Sequence, residues 1–162
     1  DNQSGVAEGR GFAISSKRPE TLVYLEKIES VQNGRNYACG RDRHGAIFCW
    51  GSLGAVPQGT DVVLRAPLGE DLNHMGVVVR LDDSDQAVSL DLAMFQGCAA
   101  YKSGSVSCWE FMRPPREIAK VQGVAEIAVN DDGLGCLLLQ EGRLRCWNKD
   151  PGTLREVFLV AD

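Results

Sequence analysis

The chain has 162 residues, of which 44% are hydrophobic and 24% charged, the balance of a folded globular protein long enough for one domain with its own core. Its net charge of −5 is spread as −1 over residues 1–76 (8 basic, 9 acidic) and −4 over the rest (9 basic, 13 acidic). That distribution, without a Lys/Arg run, excludes a nucleic-acid footprint and a polybasic membrane patch, and no apolar stretch approaches the roughly 18 residues of a transmembrane segment.

In chain order, the opening DNQSGVAEGR has neither an initiator Met nor the apolar core of a signal peptide. It reads as the start of a processed chain or of a piece cut from a longer one. Asn2-Gln3-Ser4 fits the N-glycosylation sequon. Strand-like runs at 22–25 and 28–31 lead into CGRDRHGAIFCW at 39–50. Residues 52–75, rich in Gly and Pro, read as a surface insertion. Runs at 77–81 and 87–92 flank a polar turn at 82–86 and precede CAAYKSGSVSCW at 98–109. Runs at 118–121 and 124–129 flank Gln122-Gly123 and precede CLLLQEGRLRCW at 136–147. Residues 154–160 (LREVFLV) look like the beginning of a fourth unit.

The three cysteine segments align without a gap, each as Cys, five residues, Gly, three residues, Cys-Trp. All six cysteines and all three tryptophans fall in this register, which makes it a true internal repeat. In each copy the Gly follows a short polar stretch, as in a three-residue hairpin loop whose last residue adopts the left-handed conformation. Counting outward from Gly45 pairs Asp42 with Ala46, Arg41 with Ile47, Gly40 with Phe48 and Cys39 with Cys49. The cysteines then sit at a non-hydrogen-bonded position, where facing side chains lie closest. The same count joins Cys98 to Cys108 and Cys136 to Cys146. A zinc site is the rival reading. Its paired ligands favour spacings of about two to four residues, against nine here, and the chain has only His44 and His74 to add. Three disulfides are therefore expected, and with them a secreted, periplasmic or extracellular-surface location.

Each unit comprises about four short strands, in one domain over 1–162 with units near 21–51, 76–110 and 117–148. The fold class is all-β: a partial or atypical β-propeller of three four-stranded units, with a β-trefoil of similar length and threefold repeat as the alternative.

The run YACGRDRHGAIFCWG (37–51) resembles the repeats of the regulator of chromosome condensation family, in the cysteine-bearing form of its bacterial and secreted relatives. The resemblance covers residues 21–148. It is specific at the hairpins and weak between them, and the final Gly becomes Glu110 and Asn148 in copies two and three. It implies propeller blades, although the family closes rings of about seven where three repeats are evident here. The family includes a nuclear exchange factor and a secreted β-lactamase inhibitor; the disulfides argue against the former.

No nucleophile elbow, Walker loop or His-Glu metal motif is present, so neither enzyme activity nor a cofactor is expected. The acidic stretches 82–85 and 130–133 lack EF-hand spacing and read as turns. Trp50, Trp109 and Trp147, fixed behind a bridged cysteine, are expected to pack between units. Contact residues are expected at the hairpin tips: Arg41, Arg43 and His44 in the first, Tyr101 and Lys102 in the second. The resulting expectation is a non-enzymatic extracytoplasmic protein–protein interaction module (adaptor, inhibitor or subunit), whose partner is another protein or another copy or segment of its own. A carbohydrate-binding lectin on a trefoil is the alternative, weakened because the tip residues do not repeat.

Overall fold

A computed structural model describes residues 7–8, 11–12, 27–35, 37–52, 61–67, 75–81, 85–110 and 113–157. The sequon at Asn2, His74, and residues 82–84 and 158–160 lie outside them. Among the described residues the order is β1 (Ala7–Glu8), β2 (Gly11–Phe12), β3 (Ile28–Asn33), β4 (Tyr37–Asp42), β5 (Ile47–Ser52), β6 (Asp61–Pro67), β7 (Met75–Arg80), β8 (Ala87–Leu92), β9 (Gln96–Tyr101), β10 (Ser105–Glu110), β11 (Arg116–Lys120), β12 (Val124–Val129), β13 (Leu134–Leu139), β14 (Leu144–Asn148) and β15 (Asp150–Val157). Three antiparallel sheets follow, β3-β4-β5-β7-β6, β8-β9-β10-β11 and β12-β13-β14-β15, beside a small β1-β2 ribbon. Each unit closes its own sheet, as propeller blades do, and this sets the trefoil aside.

The central hairpins have the register counted from the sequence. Cys39 faces Cys49, Cys98 faces Cys108 and Cys136 faces Cys146. All three pairs are bridged, with Cα–Cα separations of 4.1, 4.0 and 4.0 Å. The loop glycines have φ of +83° (Gly45), +91° (Gly104) and +84° (Gly142), the left-handed region that the loop geometry demands.

The strand pairings divide the chain differently from the sequence reading. β7, assigned there to the second unit, pairs with β5 and completes the first blade. β11, assigned to the third, pairs with β10 as the outer strand of the second. β15 pairs with β14 and closes the third blade instead of opening a fourth. Part of the insertion is also structural, since β6 adds a fifth strand outside β7. The physical reason lies in the links. Gln122-Gly123 reads as a hairpin turn, but its neighbours bond to other elements. Val121 N–H donates to the Gly104 carbonyl at 2.7 Å, and Gly123 C=O accepts from Gln140 N–H at 2.7 Å. The link thus carries the chain from the outer strand of one blade to the inner strand of the next.

The core lies between the blades. Tyr37, Cys39, Ile47, Cys49 and Leu81 of the first blade and its exit meet Ala87, Leu90, Leu92, Ala99, Tyr101 and Trp109 of the second. Cys98, Ala100 and Val106 of the second, with Val121 at its exit, meet Val124, Ile127, Leu137, Leu139 and Trp147 of the third. Trp109 and Trp147 are therefore inter-blade packing residues, as expected, and each large buried side chain contributes about 1.5–3 kcal/mol. Polar side chains complete the second junction, with Ser89 Oγ accepting from Ile127 N–H (3.1 Å) and an Asp91 carboxylate oxygen from Val129 N–H (2.8 Å).

Candidate functional site

The blades present two ends, one formed by the hairpin tips and one by the turns that join the first two strands of each blade. At the tip end, Asp42 closes the first loop by accepting from the His44 and Ala46 amides at 2.8 and 2.9 Å. Arg43 and His44 are exposed, and Arg43 Nε donates to His44 Nε2 at 3.0 Å. Arg41 is half-buried on β4 and pairs with Glu29 at 3.6 Å. Lys102 is exposed, its Nζ 3.5 Å from Gln86 Oε1. Tyr101 departs from expectation, because it is only 7% exposed and belongs to the first inter-blade core. It pairs with Ala87 and faces inward, so it is not a tip contact. Backbone bonds tie the tips to the blade links: Ala87 N–H to Gly45 O (3.0 Å), Lys102 N–H to Gln86 O (2.8 Å) and Gln140 N–H to Gly123 O. The tip end is thus a stitched polar rim. The third tip adds an Arg143 guanidinium whose pKa is raised by its hydrogen bond and charge contact with Glu141 and by nearby Glu156.

The opposite end carries the larger apolar signal. Met94 and Phe95, in the turn between β8 and β9, are 40% and 46% exposed. Their turn is held on both sides. Arg35 N–H donates to Met94 O at 3.3 Å, and Met94 N–H donates to an Asp131 carboxylate oxygen. Within the turn, Ala93 N–H bonds Gln96 O at 2.8 Å, while the Gln96 side chain donates to Asn130 O. The Arg35 guanidinium stands 5.8 Å over the Phe95 ring, with Nη1 3.9 Å from Met94 Sδ. Asn130 in turn shapes the third blade's turn, its side-chain oxygen accepting from the Asp132 and Leu134 amides at 3.0 Å. The acidic stretch at 130–133 is therefore a turn, as expected.

Beside this platform a cleft of about 790 Å³ opens between the second and third blades. Gln96 and Leu134 link it to the turn row, and Trp109, Trp147, Pro114 and Pro115 give it apolar walls. Arg113, held to Glu110 at 3.2 Å, and Lys149 stand at its margin. Beneath the first turn, burial pushes the Tyr37 hydroxyl up to about 12, an effect that the nearby Trp109 indole offsets in part and Asp131 reinforces. Neither the Tyr37 hydroxyl nor Trp109 Nε1 completes a hydrogen bond of ordinary length. The arrangement offers an apolar and cationic contact surface, and no cluster of metal-binding side chains occurs among the described residues.

No protein-family model matches the sequence, and no curated protein matches it. Among solved structures, human WBSCR16 aligns over 96% of this chain and 46% of its own, at 15% identity with a TM-score of 0.64. Yeast RCC1 (Prp20) bound to Kap60 aligns over 75% of this chain and 32% of its own, at 17% identity with a TM-score of 0.51. Prp20p from Saccharomyces cerevisiae, solved in a study of its binding to Gsp1p and histones, gives 15% identity and 0.50 over 74% and 32%. The chain is an all-β propeller segment. More narrowly, its blades are similar in fold to those of WBSCR16 and yeast RCC1, and the chain spans less than half the length of these solved structures.

Proposed function

We propose that this chain is a non-enzymatic protein-binding module of an oxidising, extracytoplasmic compartment, acting as an adaptor, an inhibitor or a subunit of a larger assembly. The observation that carries the reading is the Arg35–Met94–Phe95 platform. Three residue types enriched in protein interfaces converge there on a turn pinned by its neighbours, so docking costs little side-chain ordering. The adjoining cleft gives a partner's side chain a place to enter. Three local disulfides support the compartment, since such bridges persist where thiols are not kept reduced. The complexes named for Prp20p and yeast RCC1 support protein binding as a use of this fold, while the partners themselves are not carried over.

The test pairs two measurements on the immobilised chain, capture from secreted or periplasmic fluid and a glycan array. The reading expects a protein retained in moderate salt and no glycan signal. Saccharide binding without a protein partner would favour the lectin reading instead.

A further inference from the structure

We infer that the cleft between the second and third blades is a thiol-exchange site, where a small thiol carrying carboxylates opens the Cys98–Cys108 bridge and stays joined to Cys108. Both cysteines line the cleft, so the disulfide forms part of its wall. Cys108 is half-buried, whereas Cys98 is only 2% exposed. The equivalent Cys39–Cys49 bridge is sealed, since neither of its cysteines has exposed surface.

The register selects the sulfur that is attacked. Displacement at sulfur runs along the S–S axis, so a thiolate reaches Cys108 Sγ from the side away from Cys98. β10 lies between β9 and β11, which puts that side over β11. Arg116 stands opposite Cys108 on β11, and directly opposed residues share one face of a sheet. Arg116 is exposed and lines the cleft, so its guanidinium flanks the path of approach. The same place in the first blade holds Val79, opposite Cys49.

Charge sets the class of thiol. Both acidic side chains of the lining are already engaged, Glu110 by Arg113 at 3.2 Å and Glu117 by Ser105 Oγ at 2.8 Å. No hydrogen bond or ion pair among the described residues occupies the side chains of Arg116 and Lys149, one on each side of the cleft. They favour a nucleophile that brings negative charge beyond its own thiolate, and the volume of about 790 Å³ is in the range of small-ligand sites. The thiol loses its proton and attacks Cys108 Sγ. The Cys98–Cys108 bond breaks, its electron pair leaves on Cys98 Sγ, and that thiolate takes up a proton. One disulfide replaces another, so no oxidant or reductant is consumed. Burial keeps Cys98 a neutral thiol and makes it a poor leaving group, so the step is slower than at an open bridge. Cys98 remains beside the new disulfide and reseals the bridge when the thiol is withdrawn.

The test treats the native chain at low ionic strength with glutathione, which carries two carboxylates, or with cationic cysteamine at equal thiolate concentration. Samples are quenched with iodoacetamide over time and mapped without reduction. Glutathione is found on Cys108 with Cys98 alkylated, while Cys39–Cys49 in the same sample stays closed and so reports that the chain has not unfolded. Glutathione reacts roughly fivefold faster than cysteamine, the effect of one charge contact in water. Arg116→Gln with Lys149→Gln, both at exposed positions, removes that preference without changing far-ultraviolet circular dichroism, and so does about 1 M salt. Opening of Cys39–Cys49 at the same rate as Cys98–Cys108 overturns the inference. So does glutathione on Cys98 in place of Cys108, or a preference for glutathione that survives the double substitution.

Discussion

Gly45→Ala and Gly142→Ala form a matched pair that isolates what the stitching between blades is worth. Both glycines end equivalent hairpin loops, at φ +83° and +84°. Either substitution forces an L side chain into the left-handed region, at a cost of roughly 1–2 kcal/mol. Their surroundings differ. A Cβ on Gly142 meets nothing within 4 Å, whereas one on Gly45 lies 2.7 Å from Ala87 N and 2.8 Å from Gln86 Cα. Both obstacles are backbone, and Ala87 N–H is bonded to the Gly45 carbonyl at 3.0 Å, so no flexible side chain can give way. Relief requires the link into the second blade to shift, losing about 1 kcal/mol of hydrogen bonding and adding an overpacking cost of about 1–3 kcal/mol. Gly142→Ala should therefore destabilise by about 1–2 kcal/mol and Gly45→Ala by about 3–6 kcal/mol on the same scales. Chemical denaturation with the disulfides intact measures both, provided the m-value is unchanged. Equal losses at the two sites would refute the claim that the first tip is packed against the inter-blade link.

Tyr37 predicts an alkaline limb. Its hydroxyl is pushed from 10.0 up to about 12 in the folded chain, chiefly by burial, so it contributes stability that is complete below pH 10 and lost as the pH rises toward 12. Tyr37→Phe should flatten that limb in pH-dependent melts, by on the order of 2 kcal/mol. At neutral pH it should be nearly neutral or stabilising, because the hydroxyl is buried without an ordinary hydrogen-bond partner. Timed reduction followed by peptide mapping should find Cys39–Cys49 the last bridge to open, since neither cysteine has exposed surface. Removing either partner of that bridge should cost about 3 kcal/mol by loop-closure entropy, measured against the same denaturation baseline.

The hairpins were legible because a disulfide, a left-handed glycine and a tryptophan each need a fixed position, and together they leave one register. The outer strands were not assignable in the same way. Short apolar runs mark 77–81 and 118–121 as strands, but such a run carries no information about the partner strand. Tyr101 looked like a tip residue by distance from Gly104. Its equivalence to Leu139, an apolar position facing the preceding blade, was the better guide. The Arg35–Met94–Phe95 platform was missed because LAMFQGC reads as an apolar strand running into the next. Comparing the repeats at that place would have exposed it. The turn bonds make Gly34 equivalent to Ala93, so Met94-Phe95 is a large apolar pair where the sequence of the first copy has Arg35-Asn36 and that of the third has Asp131-Asp132.

The central claim is that binding resides at the turn end and not on the hairpin rim, and titration of the captured partner against two variants addresses it most directly. Phe95 is half in solvent, so Phe95→Ala should leave the fold intact while removing a preorganised anchor. Loss of an interface anchor of this kind costs about 2 kcal/mol or more, which corresponds to at least a tenfold weaker Kd. Arg43→Ala, at the exposed first tip, should leave the affinity within about twofold, the scale of a near-neutral surface contact. The reverse pattern, with affinity lost in Arg43→Ala and retained in Phe95→Ala, would contradict the account and return the site to the hairpin tips.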